Sequence, residues 1–225
     1  SLAKSSPGRR LALLVGNNDY QRFPKLLTAR SDVKLIGQVL KDQYGFEVDI
    51  VLDADRYRMV DALSRLRRRA RENDNVLIYY AGHGFLDENT GRGYWLAVDA
   101  ERDSIANWVS STDVADTMKA LAARHAIVIA DSCFAGSLLR AGVGTALDER
   151  SLLLRRLQAR RSRTVLTSGG LEPVLDSGSG RHSIFARALA DTLGANEQVL
   201  EAGRLFVTIR DRVVRVADQT PQYAP

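Results

Sequence analysis

The chain has 225 residues, with 32 Lys and Arg against 27 Asp and Glu, a formal charge of +5, and only 7% aromatic residues. Its single cysteine, Cys133, excludes a disulfide framework and any multi-cysteine zinc site. No apolar run approaches the ~20 residues that span a bilayer, and the N-terminus carries no apolar signal core. These features give the expectation of a soluble, cytoplasmic protein of a reducing compartment with no membrane partner.

The length suits one domain, which can bury roughly 70% of its unfolded surface without a disulfide or metal staple. Of the basic residues, 27 are Arg and 5 are Lys. No groove-reading motif accompanies them, and the arginine clusters are not interleaved with aromatic stacking residues. They read as surface charge, and nucleic acid is not expected as a partner.

Short apolar runs alternate with segments of helical period, the pattern of an α/β sheet. The run Leu11 to Gly16 reads as a buried strand. A helix follows from an N-cap at Ser31 through Tyr44, with Val33, Ile36, Val39 and Leu40 on one face and Gly45 as its stop. Glu47 to Leu52 is the second strand, and Tyr57 to Arg71 an amphipathic helix with an arginine-rich outer face. Asn75 to Ala81 is nearly all apolar, as expected of a strand covered on both sides. A glycine-bounded loop, a strand over Tyr94 to Val98 and a helix near Thr112 to Ala123 come next. Ala126 to Ala130 is the fourth core strand. Residues 134–163 form an Arg-rich linker, with seven Arg from Arg140 to Arg163 against Asp148 and Glu149. The fold resumes with a strand over Thr164 to Ser168, a Gly/Ser-rich loop, and helices near Ser183 to Leu193 and Ala202 to Ala217.

The third strand runs into Gly82-His83-Gly84 and the fourth into Asp131-Ser132-Cys133. In an open parallel sheet, reactive groups collect beyond the carboxyl ends of the strands. A thiol needs a neighbouring base to become a nucleophile near neutral pH, and imidazole is the usual supplier. A cysteine after a strand is commonly structural, and a loop histidine commonly lies on the surface. Together, at two strand ends, His83 and Cys133 make a candidate catalytic dyad; His125 and His182 read as structural.

The segments Leu11 to Asn17, Tyr79-Tyr80-Ala81-Gly82-His83-Gly84, Asp131-Ser132-Cys133 and Thr167-Ser168-Gly169-Gly170 resemble the caspase-like cysteine peptidases, specifically bacterial metacaspase and paracaspase homologues. The His lies 50 residues before the Cys, the spacing of caspase-type peptidases, although Asp-Ser-Cys replaces their Gln-Ala-Cys. The resemblance implies a three-layer α/β/α sandwich with a six-stranded, mainly parallel sheet. It divides one domain into a large-subunit-like part (9–133), the linker (134–163) and a small-subunit-like part (164–225). Cys133 would be the nucleophile, His83 the acid/base, and the backbone N–H groups of Gly84 and Cys133 the oxyanion hole.

Within that family, the branch that cuts after Arg or Lys uses acids in its side-chain pocket. Asp131 and Asp32 match two of these, and Glu172, or Asp176 nearby, stands as a third. Each has a plainer reading: Asp32 as a first-turn acid favoured by the helix dipole, Asp131 as a strand-end cap. Arg30 points the other way, as a caspase-type carboxylate binder. The expected partners are peptide or protein substrates with Arg or Lys before the cut, with fused or associated regulatory domains. An enzyme of that specificity could process itself within residues 140–163; otherwise the linker arginines are solvated. Phe134 stands where many metacaspases have His, and Asp87, Glu88 and Asp99 match no EF-hand spacing, so no cofactor or metal is expected and calcium dependence is not legible. A non-catalytic interaction module of the same fold is the competing reading, and a basic nucleic-acid-binding domain is a weaker third.

Overall fold

The computed structural model describes residues 8–132, 162–169, 180–196, 202–217 and 219–224. Within them the strands β1 (Arg10–Gly16), β2 (Glu47–Leu52), β3 (Asn75–Ala81), β7 (His125–Asp131), β8 (Ser162–Thr167) and β9 (Gln222–Ala224) form one sheet in the order β2-β1-β3-β7-β8-β9. Every pairing is parallel except β8 with β9. A second sheet of three antiparallel strands is built from β4 (Gly84–Asp87), β5 (Arg92–Leu96) and β6 (Trp108–Ser110).

Strand alternation sorts the core into two layers. Leu11, Leu13 and Val15 of β1 and Val76, Ile78 and Tyr80 of β3 pack with Met59, Leu63 and Leu66 of α2 (Arg56–Arg69) and with Val114 and Met118 of α3 (Ser111–Ala120). Ala12, Leu14, Leu77 and Tyr79 face the other way. They meet Val33, Ile36 and Leu40 of α1 (Ala29–Tyr44), Phe185 and Leu189 of α4 (Ile184–Gly194) and Ile209 of α5 (Ala202–Val213). The result is the expected three-layer α/β/α arrangement. In β7, Val128 and Ala130 belong to the first layer and Ile129 to the second. By parity, Asp131 therefore falls on the face shared with α1 and α4.

Several boundaries differ from the sequence expectation, and each has a local cause. Helix α1 begins at Ala29 rather than after Ser31, because Asn18 Oδ1 accepts the Arg30 N–H (3.0 Å) and caps the first turn from outside. Ser31 lies inside the helix and turns its hydroxyl to the Thr28 and Arg181 carbonyls. Its C-terminal stop is Gly45, as expected, in the left-handed conformation at φ 65°. The loop expected after His83 is instead β4, which pairs with β5, and β5 covers Arg92–Leu96 rather than Tyr94 to Val98.

Helix α3 stops at Ala120, short of Ala123. The Arg163 guanidinium takes its last carbonyls, bonding Met118 O and Leu121 O at 2.7 Å and Ala123 O at 3.0 Å. Strand β8 consequently starts at Ser162, inside the span assigned to the linker. At the end of α5, the Val216 and Ala217 N–H groups both turn back to Val213 O, closing the helix before Ala217.

Candidate active site

His83 follows β3 through Gly82, and its backbone is held from three directions. The Tyr20 hydroxyl accepts its N–H at 2.8 Å, while its carbonyl accepts the Tyr80 hydroxyl at 2.7 Å and the Leu96 N–H at 3.0 Å. Gly82 is required here: a Cβ would lie 2.6 Å from both the Tyr20 and Tyr80 hydroxyl oxygens. The imidazole packs on the Tyr20 ring, with centroids 4.6 Å apart, and its Nε2 lies 2.8 Å from the Pro24 carbonyl oxygen. A carbonyl oxygen only accepts, so Nε2 carries the ring proton and Nδ1 keeps the lone pair. The ring is thus oriented and left with one basic nitrogen.

Asp131 ends β7, opposite Ala81 of β3 in the register, and is 6% exposed. Its Oδ2 accepts the Ser183 hydroxyl at 2.5 Å and the Tyr79 hydroxyl at 3.3 Å. Its Oδ1 is buried with no hydrogen-bond partner among the described residues. Asp32, on the first turn of α1, is 1% exposed. Its carboxylate accepts the Ser183 backbone N–H at 3.2 and 3.3 Å and lies 2.9 Å from His182 Nδ1. Ser183, the N-cap of α4, therefore donates to both acids, one through its backbone and the other through its side chain.

Two buried carboxyls this close cannot both ionise freely. Burial first, and then the neighbouring Asp32 charge, push the Asp131 pKa up to about 7. The Ser183 and Tyr79 hydroxyls pull against that rise, as does the nearby Ser168 hydroxyl, which lies outside hydrogen-bonding geometry. Burial and the charges of Arg187 and Arg181 hold the His182 pKa below its ordinary value. Its contact with Asp32 is accordingly a hydrogen bond from a neutral ring at pH 7.

The structure brings together Asp32 and Asp131, and sets His83 at the end of the strand beside β7. Cys133 and Glu172, together with Asp176, lie outside the described residues. Gly84 opens β4 directly after His83, opposite Trp95. Arg30 does not join the acids as a rival ligand: its guanidinium pairs with Asp53 at 3.1 Å. His125 bridges the starts of β7 and β8 through Ser162 Oγ at 2.9 Å, whereas His182, read as structural, stands against Asp32.

Sequence reasoning missed Pro24, Tyr20 and Ser183. A backbone carbonyl leaves no side-chain signal, so Pro24 could not have been found. Ser183 was legible as a helix start, Ser ahead of an apolar helical run, but not as a link between two distant acids.

The caspase-domain family model matches residues 9–225, and the chain belongs to that family. Over 91 residues it is 36% identical to human mucosa-associated lymphoid tissue lymphoma translocation protein 1, an alignment covering 40% of this chain and 11% of the human protein. Over 94 residues it is 32% identical to metacaspase-1 of Scheffersomyces stipitis, covering 37% of this chain and 23% of that one. The chain thus spans less than a quarter of either relative. A solved protein from Geobacter sulfurreducens superposes with a TM-score of 0.69 over 96% of this chain and 92% of its own, at 15% identity, a likeness of fold. Among the described residues, no helix is long and apolar enough to cross a membrane.

Proposed function

We propose that the chain is a cysteine endopeptidase that cleaves after Arg, and secondarily Lys, with Cys133 as nucleophile and His83 as acid/base. The observation that carries the specificity is the convergence of Asp32 and Asp131 on Ser183, with a buried carboxyl oxygen, two residues before the nucleophile, that has no hydrogen-bond partner among the described residues. A guanidinium offers planar, paired N–H donors that two carboxylates can share, and the same site repels an acidic side chain.

In the reaction, His83 takes the Cys133 proton at Nδ1, the nitrogen left basic by the Pro24 bond. The thiolate attacks the scissile carbonyl, and the negative oxygen is received by the N–H groups of Gly84 and Cys133, each such donor being worth about 3–4 kcal/mol in acyl-transfer enzymes. His83 then protonates the departing amine, and water hydrolyses the acyl-enzyme with the same ring as base. The Arg-rich linker is a substrate of matching chemistry, and we place self-processing within residues 140–161. Arg163 is excluded by its role in holding the end of α3.

The test is steady hydrolysis of fluorogenic peptides ending in Arg, Lys or Asp, for the chain and for Cys133→Ala. Arg ahead of Lys, no Asp turnover, and no activity in the variant is the expected outcome. Absence of turnover on all three under every activation regime overturns the reading in favour of an interaction module.

A further inference from the structure

The hydroxyl of Ser183, buried beside Asp131 at the start of α4, has a role in that pocket beyond joining the two acids. We propose that Ser183 is a specificity-determining positioning residue, which holds Asp131 in the orientation that leaves Oδ1 open to an incoming guanidinium. The proposal rests on the basic-pocket reading above and deepens it.

A serine hydroxyl has one proton and two lone pairs. Here the proton goes to Asp131 Oδ2 at 2.5 Å, and a lone pair accepts the Ala186 N–H at 2.9 Å. The helix start therefore fixes the hydroxyl, and the hydroxyl fixes the carboxyl. With Oδ2 occupied by Ser183 and Tyr79, Oδ1 is the oxygen left without a partner among the described residues. The same residue's backbone N–H anchors Asp32, so one residue sets the spacing of both acids.

A proton balance follows. The titratable and polar groups facing Asp131 are Asp32 from α1, Tyr79 from β3, Ser168 from the end of β8 and Ser183 from α4, with neutral His182 beyond Asp32. No cation among the described residues pairs with Asp131. Around neutral pH the empty pocket holds a proton on Asp131 in part of the population, and a bound guanidinium displaces it. Arg binding thereby strengthens as pH rises through the Asp131 titration. Ser183 donates to the ionised form, so its loss moves that titration to higher pH.

Three variants separate this from mere helix capping. Ser183→Ala and Ser183→Gly both lose the hydroxyl, but Gly keeps most of the capping preference that Ala lacks. Ser183→Thr keeps both the hydroxyl and the cap. The pH dependence of kcat and KM for an Arg peptide is measured for each, alongside Tm. A hydrogen bond to a charged group corresponds to roughly tenfold or more in binding. The Ala and Gly variants should therefore raise KM about tenfold with kcat nearly kept, and shift the alkaline-favoured rise in kcat/KM upward by about one pH unit. Thr should restore both. A Gly variant with wild-type KM and pH profile overturns the role of Ser183 while leaving the basic pocket standing. Wild-type protein that turns over Asp or neutral peptides in preference to Arg overturns the pocket itself, and the role of Ser183 with it.

Discussion

The imidazole Nε2 of His83 lies 2.8 Å from the carbonyl oxygen of Pro24, across a stretch of chain that no side-chain motif marks. That contact chooses the tautomer. The choice is useful only if the ring cannot turn, and Tyr20 restrains the turn by packing its tilted ring against it and accepting the His83 backbone N–H. Tyr20 is 2% exposed, and burial raises its pKa far above the ordinary tyrosine range, so it remains a neutral hydroxyl. Tyr20→Phe takes from the part-buried His83 N–H the hydroxyl that accepts it, a cost of about 1 kcal/mol. Expected are a lower Tm and a fall in kcat on Arg peptides with KM little changed, read by kinetics and thermal melts on the same samples.

Gly82→Ala probes the same support from the backbone side. Its Cβ would stand 2.6 Å from two hydroxyl oxygens that already hold His83, so both contacts must be relieved by movement of the tyrosines or of the Gly82 backbone. Activity should fall by more than in Tyr20→Phe, while binding of an Arg-terminated peptide aldehyde, whose side chain reaches the acids, is retained in part. Wild-type kcat in this variant would show that the tyrosines do not position the ring.

Asp131 predicts a conflict between stability and activity. Its folded pKa, about 7, lies above the ordinary value of 3.8 because of burial and Asp32. Between those values the folded state binds more protons than the unfolded one, so this group's effect on stability becomes less favourable as pH rises from about 4 to 7. Above that window the penalty is complete, on the order of a few kcal/mol. Asp131→Asn should therefore flatten the pH dependence of urea unfolding over pH 4–7 and be more stable than the parent at pH 8, while losing most Arg turnover. Equal stability at pH 8 with turnover kept would contradict both halves.

Much of this fold was legible because its strands are nearly uninterrupted apolar runs, such as Val76 to Ala81, and its helices carry clear apolar stripes. The small sheet was not: Gly84–Asp87 is four residues with no apolar alternation, and it becomes a strand only because Arg92–Leu96 folds back on it. Ser31 misled for a related reason. It has the chemistry of an N-cap, but Asn18, distant in sequence, supplies the cap. His83 could be named from its place at a strand end, 50 residues before Cys133, whereas Asp32 and Asp131 were named through the resemblance of their segments to the family's basic-specific branch. Their supports could not, since Pro24 contributes only a carbonyl, and Ser183 reaches Asp32 and Asp131 through pairings that exist only after α1, β7 and α4 have packed.

Arg163 was counted among the linker arginines, yet its guanidinium donates to the carbonyls of Met118, Leu121, Ala123, Arg124 and Ser162. Five acceptors around one planar fork cannot be reproduced by a lysine ammonium. Arg163→Lys should lower Tm nearly as far as Arg163→Gln, and both should leave KM for small Arg peptides close to the parent's. Full thermal stability of the lysine variant would count against the guanidinium geometry as the reason for the early end of α3.

The same arrangement sharpens the expectation for processing. A peptidase needs its substrate's arginine side chain and flanking backbone extended into the site, and Arg163 offers neither while it lies in β8 and holds α3. Incubation of the purified chain should release a fragment whose N-terminus follows Arg140, Arg150, Arg155, Arg156, Arg160 or Arg161, and never one beginning at Thr164. Cys133→Ala should stay whole when alone and be cut at the same positions when mixed with active chain, if the linker is accessible to a second molecule. A cut that persists in the lone Cys133→Ala protein, free of other proteases, would assign the processing to something other than this site; intact wild-type chain that still hydrolyses Arg peptides would show a catalyst that spares its own linker.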